Sequence, residues 1–309
     1  MFTIDPDLTG VLDAYFTCEF TTLGRDGTPL TWPTAVLPLP DGTLLVTTCV
    51  AFPQKALNIR RDGRVALLFS DPTGSGLTDA PQVFVSGHAS CPEEIVTSTA
   101  GLEKYWGRLF ERQPSSKLYV KFPINKLMDW YYFRWLITIE PDGVAIREPI
   151  ASIATEPAAA GSTGGGGGAL LGADILARFP TAVLGAVDAA GAPLLMRTTV
   201  TPVAEGFEVR AEPDAAVVAG PASLLVHRHD EKLSAAYTAL VPGRLSELGE
   251  DRWLLVPDRV IEPIGTGLVS DALRLSRDAR RATKRYLDRR GLDRPSVPWG
   301  EYRKLAAGS

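Results

Sequence analysis

Two stretches of this 309-residue chain repeat the same order of strand and turn signals. The first contains FTCEFTTLGRDGTPLTWPTAVLPLPDGTLLVTT, and the second contains PTAVLGAVDAAGAPLLMRTTVTPVAEGFEVRA. Turn signals fall at matching places: Asp26-Gly27 opposite Ala190-Gly191, Pro29 opposite Pro193, and Asp41-Gly42 opposite Glu205-Gly206. Short strands joined by tight turns predict a mainly β protein in which one small barrel domain occurs twice.

The two repeats are separated by ASIATEPAAAGSTGGGGG, which has no aromatic residue and ends in five consecutive glycines. This composition is typical of a flexible linker. We therefore predict a first domain over residues 1–150, a linker over 151–168 and a second domain over 169–309. The second domain ends in a segment with helical spacing, from Ser270 to Arg290. Its basic residues are spread around the helix, which favours a solvated face over a nucleic-acid-binding one.

Composition restricts the class of protein. With 45% hydrophobic and 22% charged residues, the chain is typical of a globular protein that buries a substantial core. The net charge of −4 gives no overall attraction to nucleic acid or to an anionic membrane. No apolar run could span a bilayer, and the N-terminus lacks the features of a secretory signal, so we predict a cytoplasmic protein. We predict neither a nucleic-acid nor a membrane partner. Cys18, Cys49 and Cys91 are odd in number and lack CxxC spacing, which predicts reduced thiols and no metal site.

Residues 42–71, GTLLVTTCVAFPQKALNIRRDGRVALLFSD, read as a strand, a two-turn helix and a second strand. Pro53 suits the first helical position, and Gly63 suits the residue after the last. Lys55 would lie in the first turn, where a cation opposes the helix dipole, so its presence indicates an anion bound at the free amides there. Arg60 and Arg61 would lie in the last turn, where either the dipole or a binding role explains them. The matching segment of the second repeat, EPDAAVVAGPAS, carries no basic residue.

A strand ending in two threonines, a helix with a lysine near its start and the run NIRRDGRVALLF together resemble the flavin-binding split β-barrels. These are the pyridoxamine phosphate oxidase-like proteins and their deazaflavin-dependent relatives. The resemblance covers Leu8 to Ser90, extends to the strand YYFRWLITIEPDGVAI, and includes the second half as a weakened copy. It implies two tandem split β-barrels that form an intrachain pseudo-dimer, with a cofactor ring in the groove between them or at the interface of a homodimer.

The resemblance also implies a set of cofactor-binding residues. Thr47, Thr48 and Lys55 would hold the cofactor phosphate, Asn58 and Arg60 would support it, and Trp32 and Pro33 would border the ring. The family's oxidases usually carry an arginine where this chain has Gln54, and they place basic residues on the preceding strand, where this chain has Trp32. Those departures fit the broader flavin and deazaflavin reductase group better.

The leading functional prediction is an oxidoreductase that uses FMN, or the deazaflavin coenzyme F-420, to act by hydride transfer on a small organic substrate. The ring of such a cofactor carries the hydride chemistry, so no protein nucleophile is needed, and the catalytic residues are left unassigned. One alternative is a non-catalytic module that binds flavin or haem. Another is an interaction scaffold whose two repeats have both lost their ligands.

Three further features have two interpretations each. His227 and His229, in HRHD, would share one face of a strand as metal or haem ligands, but with no third ligand nearby a solvated strand end is favoured. His88 either approaches the cofactor or caps the sheet, and capping is favoured. An aromatic group fits core or inter-barrel packing, with one or two members lining a substrate cavity. Its members are Trp106, Trp130, Tyr131, Tyr132, Phe133 and Trp135.

Overall fold

The computed structural model describes residues 4–149, 170–249, 251–264 and 269–309. Within these ranges the chain forms two curled antiparallel sheets with a few helices. The first half contains α1 (Pro6–Ala14), β1 (Cys18–Leu23), β2 (Pro29–Thr34), β3 (Val36–Pro38), β4 (Leu44–Cys49), α2 (Gln54–Arg61), β5 (Arg64–Phe69), β6 (Gln82–Ser90), α3 (Glu103–Arg112), α4 (Asn125–Met128) and β7 (Arg134–Arg147). The second half contains α5 (Ala173–Leu176), β8 (Ala182–Val187), β9 (Pro193–Thr198), β10 (Val200–Val203), β11 (Gly206–Arg210), β12 (Gly220–Arg228), β13 (Tyr237–Gly249), β14 (Arg252–Pro257), β15 (Ile261–Ile264), α6 (Val269–Arg290) and α7 (Trp299–Gly308).

The two sheets have the same strand order. The first runs β2-β1-β5-β6-β7-β4-β3, and the second runs β9-β8-β12-β13-β14-β11-β10, with β15 pairing additionally to β13. Each strand of the first sheet therefore has a counterpart in the second, and Pro29 and Pro193 begin counterpart strands. The prediction of two tandem split barrels in a mainly β chain is confirmed. The predicted linker, residues 151–168, lies outside the described residues.

The barrels pack against each other through the outer faces of their sheets. On β5, Val65, Leu67 and Phe69 point into the first barrel's core, whereas Ala66 and Leu68 belong to an inter-barrel cluster. That cluster comprises Leu30, Ala66, Leu68, Val183, Leu195, Leu225 and Leu240. Because β5 is buried on both faces, its sequence is continuously apolar instead of alternating.

Helix α2 is eight residues long, as the two-turn prediction requires, and Pro53 is its N-cap, one position before the predicted one. The second barrel has no counterpart of this helix. Residues 211–219, which connect β11 to β12, are not helical. The loss of basic residues in the second repeat therefore accompanies the loss of the helix that would present them.

Helices α6 and α7 pack on the first barrel, although they follow the second barrel in the chain. The Tyr286 ring of α6 lies 4.9 Å from the Trp135 ring, centroid to centroid. On α7, Tyr302 lies 5.0 Å from Trp106 and donates a hydrogen bond to the Thr97 carbonyl at 2.9 Å. The helix predicted from Ser270 to Arg290 is present. Where it is described, it carries exposed ion pairs such as Lys284 with Asp288, as a solvated face would.

None of the described helices combines the length and the apolar character needed to cross a bilayer.

Candidate functional site

Lys55 is a half-buried cation with no described carboxylate partner. Its Nζ donates to Thr34 Oγ1 at 2.8 Å and lies 5.5 Å from the centroid of the Trp32 ring. Burial lowers the pKa of Lys55 to about 8, against the opposing effect of the nearby Cys18 and Cys49 thiols. None of the ion pairs found among the described residues includes Lys55. A cation held in this way can accept an anion without first breaking a salt bridge.

The start of α2 adds backbone donors beside Lys55. The backbone hydrogen bond from Leu57 N to Pro53 O, 2.9 Å long, closes the first turn of the helix. The amides of Gln54, Lys55 and Ala56 precede it and so have no acceptor within the helix. These amides lie at the positive end of the helix dipole, which favours the same negative charge that Lys55 favours.

The two predicted threonines are already hydrogen-bonded. Thr48 Oγ1 donates to the Phe52 carbonyl at 3.3 Å, which fixes the turn that leads into α2. Thr47 Oγ1 donates to the hydroxyl of Tyr105 on α3 at 3.0 Å. Adjacent strand residues point to opposite faces, so the two hydroxyls lie on different sides of β4. Thr48 lies on the path into the helix, whereas Thr47 lies under α3.

Asn58 and Arg60 hold α2 in place. The fully buried Asn58 donates from Nδ2 to Thr22 Oγ1 at 2.9 Å and so ties α2 to β1. Arg60 extends to the end of β6, where Nε donates to the Cys91 carbonyl at 2.8 Å and the guanidinium lies 4.7 Å from the Trp135 ring. Lys55 extends instead to Thr34 on β2, so the structure does not bring Arg60 and Lys55 together.

A groove of about 910 Å³ lies between the two barrels beside α2. It is lined by Gly24, Arg25, Asp26, Leu30, Trp32, Gln54, Leu57, Arg61, Arg259 and Ile261. A volume of this size is within the range of small-molecule and cofactor sites. Of the predicted cofactor-binding residues, only Trp32 is part of its wall. The others do not line it: Pro33, Thr47, Thr48, Lys55, Asn58 and Arg60.

The groove is positively charged. Arg25, Arg61 and Arg259 line it together with a single acid, Asp26. Arg61 is held in position by donating to the Asn58 side-chain oxygen at 3.2 Å. Arg25 and Arg259 were not predicted as groove residues from the sequence. Arg259 belongs to the other repeat, and no local pattern relates it to α2.

Arg134 is a third cation that was not predicted from the sequence. It is only 6% exposed, is the register partner of Cys49 at the end of β4, and its guanidinium lies 4.2 Å from the Tyr131 ring. Its Nε and Nη2 have no hydrogen-bond partner among the described residues. The Arg134 charge also contributes to the lowered pKa of Lys55. The only sequence signal was an arginine inside the aromatic run YYFRW.

The prediction that His227 lies at a solvated strand end is wrong. His227 is 4% exposed, and its Nε2 lies 2.7 Å from Glu19 Oε1 of the first barrel. The same carboxylate oxygen accepts from Arg197 at 2.8 Å and from Ser70 at 2.7 Å. Burial by itself would raise the pKa of Glu19, but the His227 hydrogen bond and the Arg197 charge outweigh it and lower the pKa. The imidazole is buried because this face of β12 meets the first barrel.

His229 is buried at the same interface. Its Nε2 lies 3.1 Å from Thr17 Oγ1 and 3.6 Å from Asp71 Oδ2. Neither histidine lines the groove, and no three His, Cys, Asp or Glu side chains of the described ranges are grouped as metal ligands. His88 is exposed and packs over Gly63, where an added Cβ would lie 2.3 Å from its Nε2. It does not line the groove either.

No protein-family model matches the sequence, and no curated protein matches it. Among solved structures, a putative pyridoxamine 5'-phosphate oxidase from Listeria innocua is similar at 20% identity with a TM-score of 0.31, over 45% of this chain and 94% of that protein. An F420 reductase is similar at 19% identity with a TM-score of 0.29, over 46% of this chain and 98% of that protein. HutZ, a haem storage protein from Vibrio cholerae, is similar at 12% identity with a TM-score of 0.32, over 47% of this chain and 95% of that protein. The split-barrel assignment follows from the strand order described above.

Proposed function

We propose that this protein binds a flavin or deazaflavin cofactor, FMN or coenzyme F-420, in the groove beside α2 and acts as an oxidoreductase on a small organic molecule. The observation that carries the proposal is Lys55. It is a half-buried cation without a described carboxylate partner at the start of a helix. Lys55 does not itself line the groove, but its Nζ lies 5.5 Å from the ring of Trp32, which does.

The groove and the start of α2 beside it together offer what such a cofactor requires. Lys55 and the first-turn amides of α2 supply donors for the phosphate, and Arg61 supplies further positive charge along the helix. Trp32 and Leu57 present apolar surface on which a flat ring can rest. The cofactor supplies hydride transfer when it is bound, and the protein holds and orients it and shapes the space for the substrate.

Haem binding through the HRHD histidines finds no support in this geometry. His227 is in contact with Glu19, His229 is in contact with Thr17, and both lie outside the groove. A flavin carrier without catalysis uses the same groove and differs only in reactivity. Reducing the bound cofactor and then adding candidate acceptors separates the two functions, because only an enzyme reoxidises it faster than free cofactor in solution.

Replacing Lys55 by alanine is expected to weaken cofactor binding by about 1.5–3 kcal/mol, the range for a charge-assisted hydrogen bond. FMN and F-420 are titrated in parallel into the wild type and the variant, and fluorescence reports binding. Lys232→Ala, which removes an exposed lysine of the second barrel, is the matched control and should bind as the wild type does. An unchanged affinity in Lys55→Ala for whichever cofactor binds the wild type would remove this assignment.

Cofactor affinity is also expected to fall as the pH rises through about 8. The pKa of Lys55 is about 8 in the free protein, so above that pH the neutral amine predominates and binding an anion requires a proton to be taken up. Titrations from pH 7.5 to 9 measure the decline. The second ionisation of the FMN phosphate, with a pKa of about 6, is nearly complete over this range, so the phosphate charge changes little. Lys55→Arg keeps its charge throughout and should show a flatter profile. Equal profiles for wild type and Lys55→Arg would contradict the involvement of Lys55.

A further inference from the structure

Residues 113–128, QPSSKLYVKFPINKLM, follow α3, include the short helix α4 and lead to the aromatic run before β7. We name this segment the basic apolar loop. Four large apolar side chains of this loop are exposed: Leu118 by 50%, Phe122 by 71%, Ile124 by 38% and Leu127 by 54%. Such a concentration within ten residues differs from the scattered single apolar residues of an ordinary surface, and it marks a site of interaction.

The loop carries only positive charge. It contains Lys117, Lys121 and Lys126, and no aspartate or glutamate, although the whole chain has a net charge of −4. Lys121 and Lys126 are exposed, and Lys126 Nζ lies 5.2 Å from the centroid of the Phe122 ring. Lys117 donates to the backbone oxygen of Ser309. The exposed cations are therefore adjacent to the exposed apolar side chains.

The backbone of the loop is ordered by packing and hydrogen bonds, and this order fixes the positions from which its apolar side chains extend. Val120 is 2% exposed and packs in the cluster that contains Trp106. Backbone hydrogen bonds join Asn125 N to Lys121 O at 2.9 Å and Met128 N to Ile124 O at 3.0 Å. A surface that is already ordered loses little conformational entropy on binding.

We propose that the basic apolar loop docks this protein on the surface of a bilayer that contains anionic lipid. Apolar side chains that enter the acyl boundary, flanked by lysines that meet anionic headgroups, are the chemistry of interfacial binding. A stable protein interface uses about 20–30 residues a side, far more than four side chains and two exposed lysines provide. The negative net charge of the whole chain predicted no membrane partner. A lipid headgroup at this surface, however, would contact the positive charge of the loop.

Vesicle flotation tests the proposal, using the full chain with phosphatidylcholine vesicles that contain or lack phosphatidylglycerol. The wild type should float with the anionic vesicles, and high salt should reduce the bound fraction. Phe122→Ser/Leu127→Ser should reduce the partition coefficient at least about tenfold, because two large apolar side chains no longer enter the bilayer. Lys121→Glu/Lys126→Glu should lose the preference for anionic vesicles. Ile146→Ser, which removes an apolar side chain that is 63% exposed outside the loop, should bind as the wild type does.

Three results would overturn the proposal. The first is that the wild type does not float with anionic vesicles. The second is that the Phe122→Ser/Leu127→Ser variant floats as well as the wild type. The third is that the wild type self-associates in solution without lipid and the same double variant abolishes the association. In the last case the loop binds a second copy of the chain. Circular dichroism of each variant shows that the fold is intact before binding is compared.

Discussion

Replacing Arg197 by alanine is expected to lower the free energy of unfolding by about 3–5 kcal/mol, because the change leaves a buried carboxylate without its cation. The Arg197 side chain, from β9 of the second barrel, is 5% exposed, and that of Glu19, from β1 of the first barrel, is 1% exposed. Their Nη2 and Oε1 atoms are 2.8 Å apart. The remaining His227 and Ser70 contacts cannot supply a permanent charge in place of the guanidinium.

Denaturant titrations of the wild type and of Arg197→Ala measure this loss. Arg252→Ala is the matched control, since its side chain is 46% exposed and pairs with Glu208 at 3.4 Å, and it should cost no more than about 1 kcal/mol. The double variant Glu19→Gln/Arg197→Ala should recover part of the loss, because the buried charge is then gone as well. Equal costs for Arg197→Ala and Arg252→Ala would show that the pair does not stabilise the fold.

The same contact distinguishes the two barrels from each other. Glu19 has Pro33 as its register partner on β2, and at the corresponding place in the second barrel Val183 has Arg197 on β9. The acid therefore belongs only to the first barrel and the base only to the second. If two copies of the first barrel packed against each other in this way, they would bury two carboxylates with no arginine to pair with them. The charges thus favour pairing of unlike barrels, which one chain provides.

The repeated fold was predictable because its signals are local. Tight turns and short apolar strands recur in both halves, and each can be recognised within a few residues. The ion pairs at the interface were not predictable in this way, since Glu19 lies 178 residues from Arg197 and 208 from His227. The alternation of β12, continued one residue past its end at Arg228, puts His227 and His229 on one face, but it does not show that this face meets another barrel.

The same difference between local and distant signals applies to the candidate site. The helix with Lys55 near its start followed from the local pattern, whereas Trp32 was named only through the family resemblance. Arg60 is five residues after Lys55, which at about 3.6 residues per turn places it some 140° around the helix, so a common ligand contact was geometrically unfavourable. Arg259 and Arg134 come from distant elements, and only the tertiary structure brings them near α2.

Replacing Trp106 by alanine is expected to cost about 3–5 kcal/mol and to loosen α7 from the first barrel. Trp106 is fully buried in the centre of an aromatic cluster, stacked on Tyr132 with ring centroids 5.2 Å apart and in edge contact with Tyr302 at 5.0 Å. Removing the indole leaves a cavity between α3, α7 and the strands beneath them. Denaturant titration measures the loss, and limited proteolysis measures how readily the C-terminal helix is released.

Two variants of the same cluster test the cause. Trp106→Phe keeps most of the ring and removes an indole N–H that has no partner within the described residues, so we expect a cost well below that of alanine. Trp299→Ala removes a half-buried tryptophan beside Tyr132 and Tyr302 and should cost less than Trp106→Ala because less apolar area leaves the core. If Trp299→Ala were the more damaging change, or if Trp106→Ala left α7 as resistant to protease as in the wild type, the cluster around Trp106 would not be what attaches the C-terminus to the first barrel.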